Sequence, residues 1–431
     1  MSGKITAMLD DIASCSDEGL GVTRLPFTSE HHRAAAIIKG WMEDTGLAVH
    51  IDAAGTIIGR REGLADGPTL LFGSHQDSVR NGGKYDGIMG VLLPILALRE
   101  IKNLSLPFSV QVMAFADEEG VRFPTALIGS RALAGSFDPS ALKLKDQDGI
   151  SIHDAMVEFG LRPDEIESLD LRNRSIIGYV ETHIEQGPVL DTENVPLGVV
   201  TAIAGIERHH ISLRGIAGHA GTTPMRGRQD PLTCAAEFLL AAERIASETP
   251  DLIATIGKLN VLPNAVNVIP GEVSMVLEIR SAVDRVREQG GKSIINEMRE
   301  IAAARAINFT CRKTYTQSAV PCDAKLKNLL KKAVYSSHYE TKELPSGATH
   351  DASAISDLCP IAMLFVRCHR GISHTPEELA EEADMQEAVN CLVNFLKLLK
   401  QTNHQLKGSY FREHPSFKVP KPQIGVTDFL C

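Results

Sequence analysis

The chain has 431 residues, of which 43% are apolar and 23% charged. At ~150 residues per domain this length suggests roughly two to three domains, and the composition is that of a folded chain rather than a disordered one. Lysine and arginine number 44 against 54 acidic residues, a formal net charge of −10, which argues against a non-specific nucleic-acid binder because phosphate contacts need excess Lys and Arg.

The first residues, MSGKITAMLDDIAS, lack a basic start followed by an apolar core, so no signal peptide is expected. Residues 31–46 carry Ala34, Ala35, Ile38, Trp41 and Met42 at helical spacing. Leu70 to Gly73 is a short apolar strand-like run. Residues 87–101 read as a buried helix in which Pro94 predicts a kink or an early start. The apolar run within it is too short for a bilayer, which takes ~20 such residues, so no membrane role is expected. Residues 108–116 and 176–182 read as two more buried strands. Alternating β and α segments with near-continuous apolar strands predict an α/β domain with a mostly parallel sheet.

The pattern changes after residue 205. A half-exposed strand at 206–214 is followed by a helix at 231–248 and a strand at 252–261. After a turn rich in Pro, Asn and Gly come a strand at 272–280, a helix at 284–305 and a strand at 307–316. The order β-α-β-β-α-β is the ferredoxin-like split unit. It predicts an inserted domain, 206–318, inside a discontinuous first domain made of 1–205 and 319–431. The first domain resumes with a helix at 325–337, a strand at 361–367 and a helix at 384–401; the tail beyond about 405 has no clear period and is expected to be poorly ordered. The eight cysteines never form C-x-x-C, a usage that fits reduced thiols in a cytoplasm.

Four segments carry chemistry at predicted strand ends, where open α/β sheets bind ligands. GSHQDSVRNGGKYDG, 73–87, places His75 and Asp77 two apart and then presents Asp86 before a helix. A ligating imidazole needs a partner for its other nitrogen, and Asp77 is placed to serve His75. FADEEGVRFP, 115–124, sets Glu118 beside Glu119; adjacent buried carboxylates repel unless cations compensate. YVETHIEQGP supplies His183 and Gln186, and RGISHTPEE supplies His374. Each segment alone reads as readily as an acidic loop, a cap or a solvated histidine. Together they form a His/Asp/Glu set without thiolates, which suits divalent ions such as Zn²⁺, Mn²⁺ or Co²⁺. Two ions sharing one carboxylate would lie ~3.5–4 Å apart and activate water at neutral pH. In the inserted domain, GIAGHAGTTPM exposes His219, PNAVNVIPGEV offers Asn267 in a turn, and LEIRS ends in Arg280. His and Asn can donate to a developing oxyanion, and Arg can grip a carboxylate.

Taken together these motifs, with SGATHDA, resemble the amidase branch of the M20 metallopeptidase family, whose members include N-carbamoyl-L-amino acid hydrolases, β-ureidopropionases and allantoate amidohydrolases. The resemblance runs from about residue 20 to 400. It implies a di-metal catalytic domain with an inserted lid and dimerisation domain, and hydrolysis of linear amide or ureido C–N bonds. By the same resemblance His75, Asp86 and His183 hold one metal, and Asp86, Glu119 and His374 the other. It makes Glu118 the general base and has Asp77 orient His75. His219 would polarise the scissile carbonyl across the interface of a homodimer formed through the inserted domain. Arg280 and Asn267 would bind the carboxylate region of a small N-carbamoyl or ureido substrate, Gln186 its carbamoyl end, and His350 would line the pocket. Zn²⁺ leads the expected ions, with Mn²⁺, Co²⁺ and Ni²⁺ as alternatives. An N-acyl amino acid deacylase or dipeptidase on the same scaffold is the competing reading, and a non-catalytic binding module is a further one.

Overall fold

The computed structural model describes residues 4–64, 67–336 and 340–405, so the expectation for the tail beyond 405 lies outside the described residues. Among the described residues the chain divides into two compact units: one holds 4–201, Cys322–Leu344 and 348–405, the other Ala202–Pro321 and Pro345–Gly347.

The first unit opens with helices Lys4–Ala13 and Ser29–Asp44. The second of these starts where the Thr28 hydroxyl accepts from the His31 amide, an N-cap that satisfies one of the helix's free donors. Strands β1 (Ala48–Ile51), β2 (Ile57–Arg61), β3 (Thr69–His75), β4 (Ser109–Phe115), β5 (Ile176–Ile184) and β6 (Leu197–Ile203) follow. β3 and β4 are buried along nearly their whole length, as strands covered on both faces must be. The helix Ile88–Glu100 runs through Pro94 as one element, with every residue from Ile88 to Leu98 buried. Burial on all sides holds it there, and the proline forgoes a single helical hydrogen bond.

The second unit supplies β7 (Gly205–Arg214), β8 (Gly218–His219), β9 (Ile253–Leu262), β10 (Val268–Ile269), β11 (Glu272–Ser281) and β12 (Asn308–Gln317), with helices Pro231–Glu248 and Asp284–Ala304. Four strands pair antiparallel in the order β12-β7-β11-β9. β11 alternates buried and half-buried residues along its whole length, the period of a sheet with one covered face. Ile211, Leu213, Met275 and Leu277 from that face pack with Phe238 and Ile294 from the two helices.

The chain then gives β13 (Val320–Pro321), β14 (Lys342–Ser346) and β15 (Ile361–Val366), and ends its described part in helix Glu382–Gln405. The large sheet has the order β1-β2-β4-β3-β5-β15-β6-β13, with β14 also on β6. Its four central strands, β4, β3, β5 and β15, are parallel, while β1, β2 and β6 pair antiparallel at its flanks. Parallel pairing puts the carboxyl ends of the central strands at one edge. His75 closes β3, Asp117 to Glu119 follow β4, His183 is the penultimate residue of β5, and the loop bearing His374 follows β15. Among the described residues no helix is long and apolar enough to cross a membrane, and seven cysteines are free thiols.

Candidate metal centre

Asp86 is the hub of the cluster at this edge. Its Oδ1 lies 3.4 Å from His75 Nε2 and 3.0 Å from His183 Nε2. Its Oδ2 lies 3.2 Å from His374 Nε2, which is itself 3.8 Å from Glu119 Oε1. Three sets have donor atoms within 4.8 Å of one another: His75, Asp86 and His183; His75, Glu118 and Glu119; and Asp86, Glu119 and His374. The turn before the helix is glycine for a local reason. Gly87 has φ +66°, and a Cβ there would sit 2.4 Å from the His75 ring.

The outer nitrogens decide which way the rings face. His75 Nδ1 is 3.0 Å from the Asp77 carbonyl, and His183 Nδ1 is 2.9 Å from the Ile184 carbonyl. A carbonyl only accepts, so each Nδ1 carries a hydrogen and each Nε2 turns to Asp86. His183 Nε2, although buried and close to Asp86, makes no hydrogen bond. A buried nitrogen facing a carboxylate oxygen without a bond between them fits a cation in their midst.

The charges tell the same story. Burial raises Glu119 to about 7, helped by Asp86, and pushes Glu118 well up, with Glu119 and Asp351 adding to the shift. Burial works to lower the His75 pKa, but Asp77 and Asp86 overcome it and raise it well above the usual value. Without cations the cluster must hold protons on groups that normally shed them; a divalent ion displaces those protons. The chain therefore presents a divalent metal site of nitrogen and oxygen donors.

Asp77 does more than the spacing implies. Its side-chain oxygen is 3.5 Å from His75 Nδ1, while its two oxygens accept from the Glu118 and Glu119 amides at 3.1 and 3.2 Å. One aspartate thus anchors the histidine through its main-chain carbonyl and both glutamates through its carboxylate. Gln186 Nε2 donates to Asp86 Oδ2 at 2.9 Å and lies 3.2 Å from His374 Nε2. His350 is buried, its ring 4.5 Å from that of His183 and 6.0 Å from Phe365.

The remaining predicted residues belong to the second unit. His219 is exposed, and its Nδ1 accepts from the amides of Gly221 and Thr222 at 3.1 and 3.2 Å. Its neutral ring therefore carries its hydrogen on Nε2. The Asn267 carbonyl accepts from the Ala220 amide at 3.0 Å, holding the two turns together. Arg280 pairs with Glu278 at 2.7 Å and donates to the Gly347 carbonyl.

Two contributors carry no sequence signal of their own. Arg24, almost wholly buried, donates through Nε to the Gln76 carbonyl at 2.6 Å and through an outer nitrogen to the carbonyls of Ile12 and Cys15. It ties the first helix to the His75–Asp77 segment. Glu378, also buried, accepts from the amides of Tyr85 and Asp86. It stands four residues after His374 in the RGISHTPEE motif, and that shared motif was the available hint.

Residues 71–398 match the model of peptidase family M20/M25/M40. The N-carbamoyl-L-amino acid amidohydrolase of Geobacillus stearothermophilus is 39% identical over 384 residues, 88% of this chain and 94% of that protein. Allantoate deiminase 2 of Glycine max is 37% identical over 427 residues, 91% of this chain and 88% of its own. The crystal structure of an amidase of the hydantoinase/carbamoylase family from Burkholderia multivorans superposes with a TM-score of 0.86 at 30% identity, covering 91% of this chain and 96% of that one.

Proposed function

This chain belongs to peptidase family M20/M25/M40, and from that membership we propose that it is an amidohydrolase cleaving the C–N bond of a small linear ureido substrate, an N-carbamoyl-L-amino acid or allantoate. The observation that carries the reading is Asp86, with one oxygen toward His75 and His183 and the other toward His374, beside the buried Glu118 and the partly buried Glu119. His75, Asp86 and His183 would hold one divalent ion, and Asp86, Glu119 and His374 a second, with Asp86 shared. Bound there, the ions supply Lewis acidity toward a carbonyl oxygen and toward water.

The protein's own groups do the proton work. Glu118, left free by that assignment, takes a proton from the attacking water and delivers it to the leaving nitrogen. Burial keeps its proton affinity high enough for both steps. Asp77 holds Glu118 in place through the backbone amide. His219 donates through Nε2 to the developing oxyanion, supplied across a homodimer. Arg280 and Asn267 bind the substrate carboxylate, Gln186 the carbamoyl end, and His350 backs the His183 ring. The second unit, with its β-α-β-β-α-β order, is the ferredoxin-like lid and dimerisation domain. Water adds to the ureido carbonyl and one C–N bond breaks, the leaving nitrogen taking the proton; with an N-carbamoyl amino acid the carbamate left behind then breaks its remaining C–N bond spontaneously, so that the products are amino acid, ammonia and carbon dioxide.

The test is a substrate panel on protein reconstituted with Zn²⁺, Mn²⁺, Co²⁺ or Ni²⁺. Ammonia release from N-carbamoyl-L-amino acids or allantoate is expected. Acid release from N-acyl amino acids, with no ammonia from ureido substrates, would replace this reading with a deacylase.

A further inference from the structure

We infer that Glu378 is a positioning residue that straps the Asp86 loop to the His374 loop, so that both present their donors to one divalent ion. The inference rests on the metal assignment proposed above.

Glu378 is 4% exposed. One of its oxygens accepts from the amides of Tyr85 and Asp86, at 3.1 and 3.0 Å. The other accepts from the Ser373 hydroxyl at 2.7 Å, and that hydroxyl lies 3.3 Å from Asp86 Oδ2. A single carboxylate therefore joins the backbone of one metal-ligating loop to the side chain beside the next ligand, across 292 positions of sequence. The two loops have no strand pairing to set their register. His374 stands at φ +60°, a left-handed conformation that a non-glycine residue keeps only where its surroundings hold it.

The facing turn is shaped for this contact. A Cβ on Gly83 would come within 2.2 Å of Glu378 Oε1. Gly83 thus leaves room for the carboxylate to reach the Tyr85 and Asp86 amides. Placing a buried negative group so near Asp86 is electrostatically unfavourable, and the three hydrogen bonds it accepts are what offset this. Outer partners of metal ligands act by fixing ligand orientation.

The experiment is a calorimetric Mn²⁺ titration of chelator-treated protein, with thermal unfolding followed in chelator and in Mn²⁺. Wild type takes up two ions. In Glu378→Ala one ion still binds tightly and the other binds 10- to 100-fold more weakly, by the usual scale for an outer partner. Glu378→Gln keeps an acceptor oxygen for the two amides and restores the second ion to near wild-type affinity. That rescue separates a strap from a charge effect. Gly83→Ala and Ser373→Ala, which leave Glu378 in place but crowd or release it, weaken the same ion. They carry the test if Glu378→Ala fails to fold. Two ions at wild-type affinity in Glu378→Ala, or in both of the other variants, overturn the inference alone. Equal losses in Glu378→Gln and Glu378→Ala also overturn it. A wild-type chain that binds no Mn²⁺ overturns the metal assignment and this inference with it.

Discussion

Replacing Glu119 with Gln should make the metal-free protein more stable and the metal-loaded protein less so. Burial, with Asp86 alongside, raises the Glu119 carboxyl from 4.5 to about 7. The sign follows from which state sheds its proton first. Between pH 4.5 and 7 the unfolded chain releases a proton that the folded one retains, so folding loses stability as pH rises through that window. Below it the ionised form makes no demand; above it the cost is complete. A shift of about 2.5 units corresponds to about 3 kcal/mol at ~1.36 kcal/mol per unit. The amide is nearly the same shape and never ionises, so Glu119→Gln escapes that cost. Urea unfolding in chelator at pH 8 should favour the variant by about 2–3 kcal/mol, and the gap should close near pH 4.5. With Mn²⁺ at about 1,000 times its Kd, each site adds about 4.1 kcal/mol, more than the variant's advantage in chelator. The wild type should then overtake a variant that lacks one ligand. A variant no more stable than wild type in chelator at pH 8, or a gap that does not change with pH, would refute the reasoning.

Three further outcomes are expected. Glu118→Gln should lower kcat by at least ~100-fold, the usual contribution of a positioned acid–base group, while Mn²⁺ stoichiometry stays at the wild-type value; wild-type turnover would remove Glu118 from the proton path. His31 is fully buried, its Nδ1 accepting from the Phe27 amide at 2.8 Å, and burial lowers its pKa to about 3. The unfolded chain therefore takes up a proton first, so stability present above pH 6.5 falls as pH drops toward 3, by up to ~1.4 kcal/mol per unit. His31→Asn, which retains an acceptor and does not titrate, should flatten that acid slope in urea titrations at stepped pH, and an unchanged slope would acquit His31. In the second unit Glu207 accepts from His209 at 2.6 Å and pairs with Arg287 and Lys313 at 2.9 Å. Against the opposing effect of burial, His209 and Lys313 hold its carboxyl down to about 2. Glu207→Ala takes one of two close carboxylate partners from the buried Arg287 guanidinium, which keeps Asp284 at 2.9 Å, and should cost about 1–3 kcal/mol of unfolding free energy; a loss below ~0.5 kcal/mol would mean the network contributes little.

The parts of the fold that were legible are those with a strong period. The central strands β3, β4, β5 and β15 and the long helices announce themselves through burial on both faces or at helical spacing. β1, β2, β6 and β14 were not read. β1 and β14 are short, four and five residues, β1 mostly exposed and β14 mostly polar with a proline inside, so no pattern separates them from loop. β2 and β6 are more buried, but sit at the flanks where antiparallel partners far along the chain decide the pairing. At Pro94 the helix continues as one element, tertiary burial outweighing the local penalty. The motif segments were visible because acidic and histidine side chains at strand ends are costly without a purpose. Their outer anchors were not, because Arg24 and Glu378 act mainly on backbone groups, and any acceptor or donor of suitable reach satisfies an amide or a carbonyl.

This asymmetry has an energetic side. Asp77, Asp86, Asp117, Glu118, Glu181, Asp351 and Glu378 are all buried in one unit, and burial raises the pKa of Asp117, Glu118, Glu181, Asp351 and Glu378. Hydrogen bonds satisfy part of the set: Glu181 accepts from the Ser74 hydroxyl and the Ala352 amide, both at 2.8 Å. They do not remove like-charge repulsion. A fold that concentrates so many carboxylates at one sheet edge is weakest there when no cation is bound, and ion binding is then partly folding free energy. Chelation should therefore loosen the strand ends and the loops after β3 and β15 before it affects the second unit, whose core is apolar and separately built. Amide hydrogen exchange with and without Mn²⁺ reads this directly. Protection lost in chelator at residues 76–87 and 369–378, with the β7 and β11 amides unchanged, is the expected pattern; uniform loss across both units would show that the cations stabilise the chain as a whole rather than the edge that holds them.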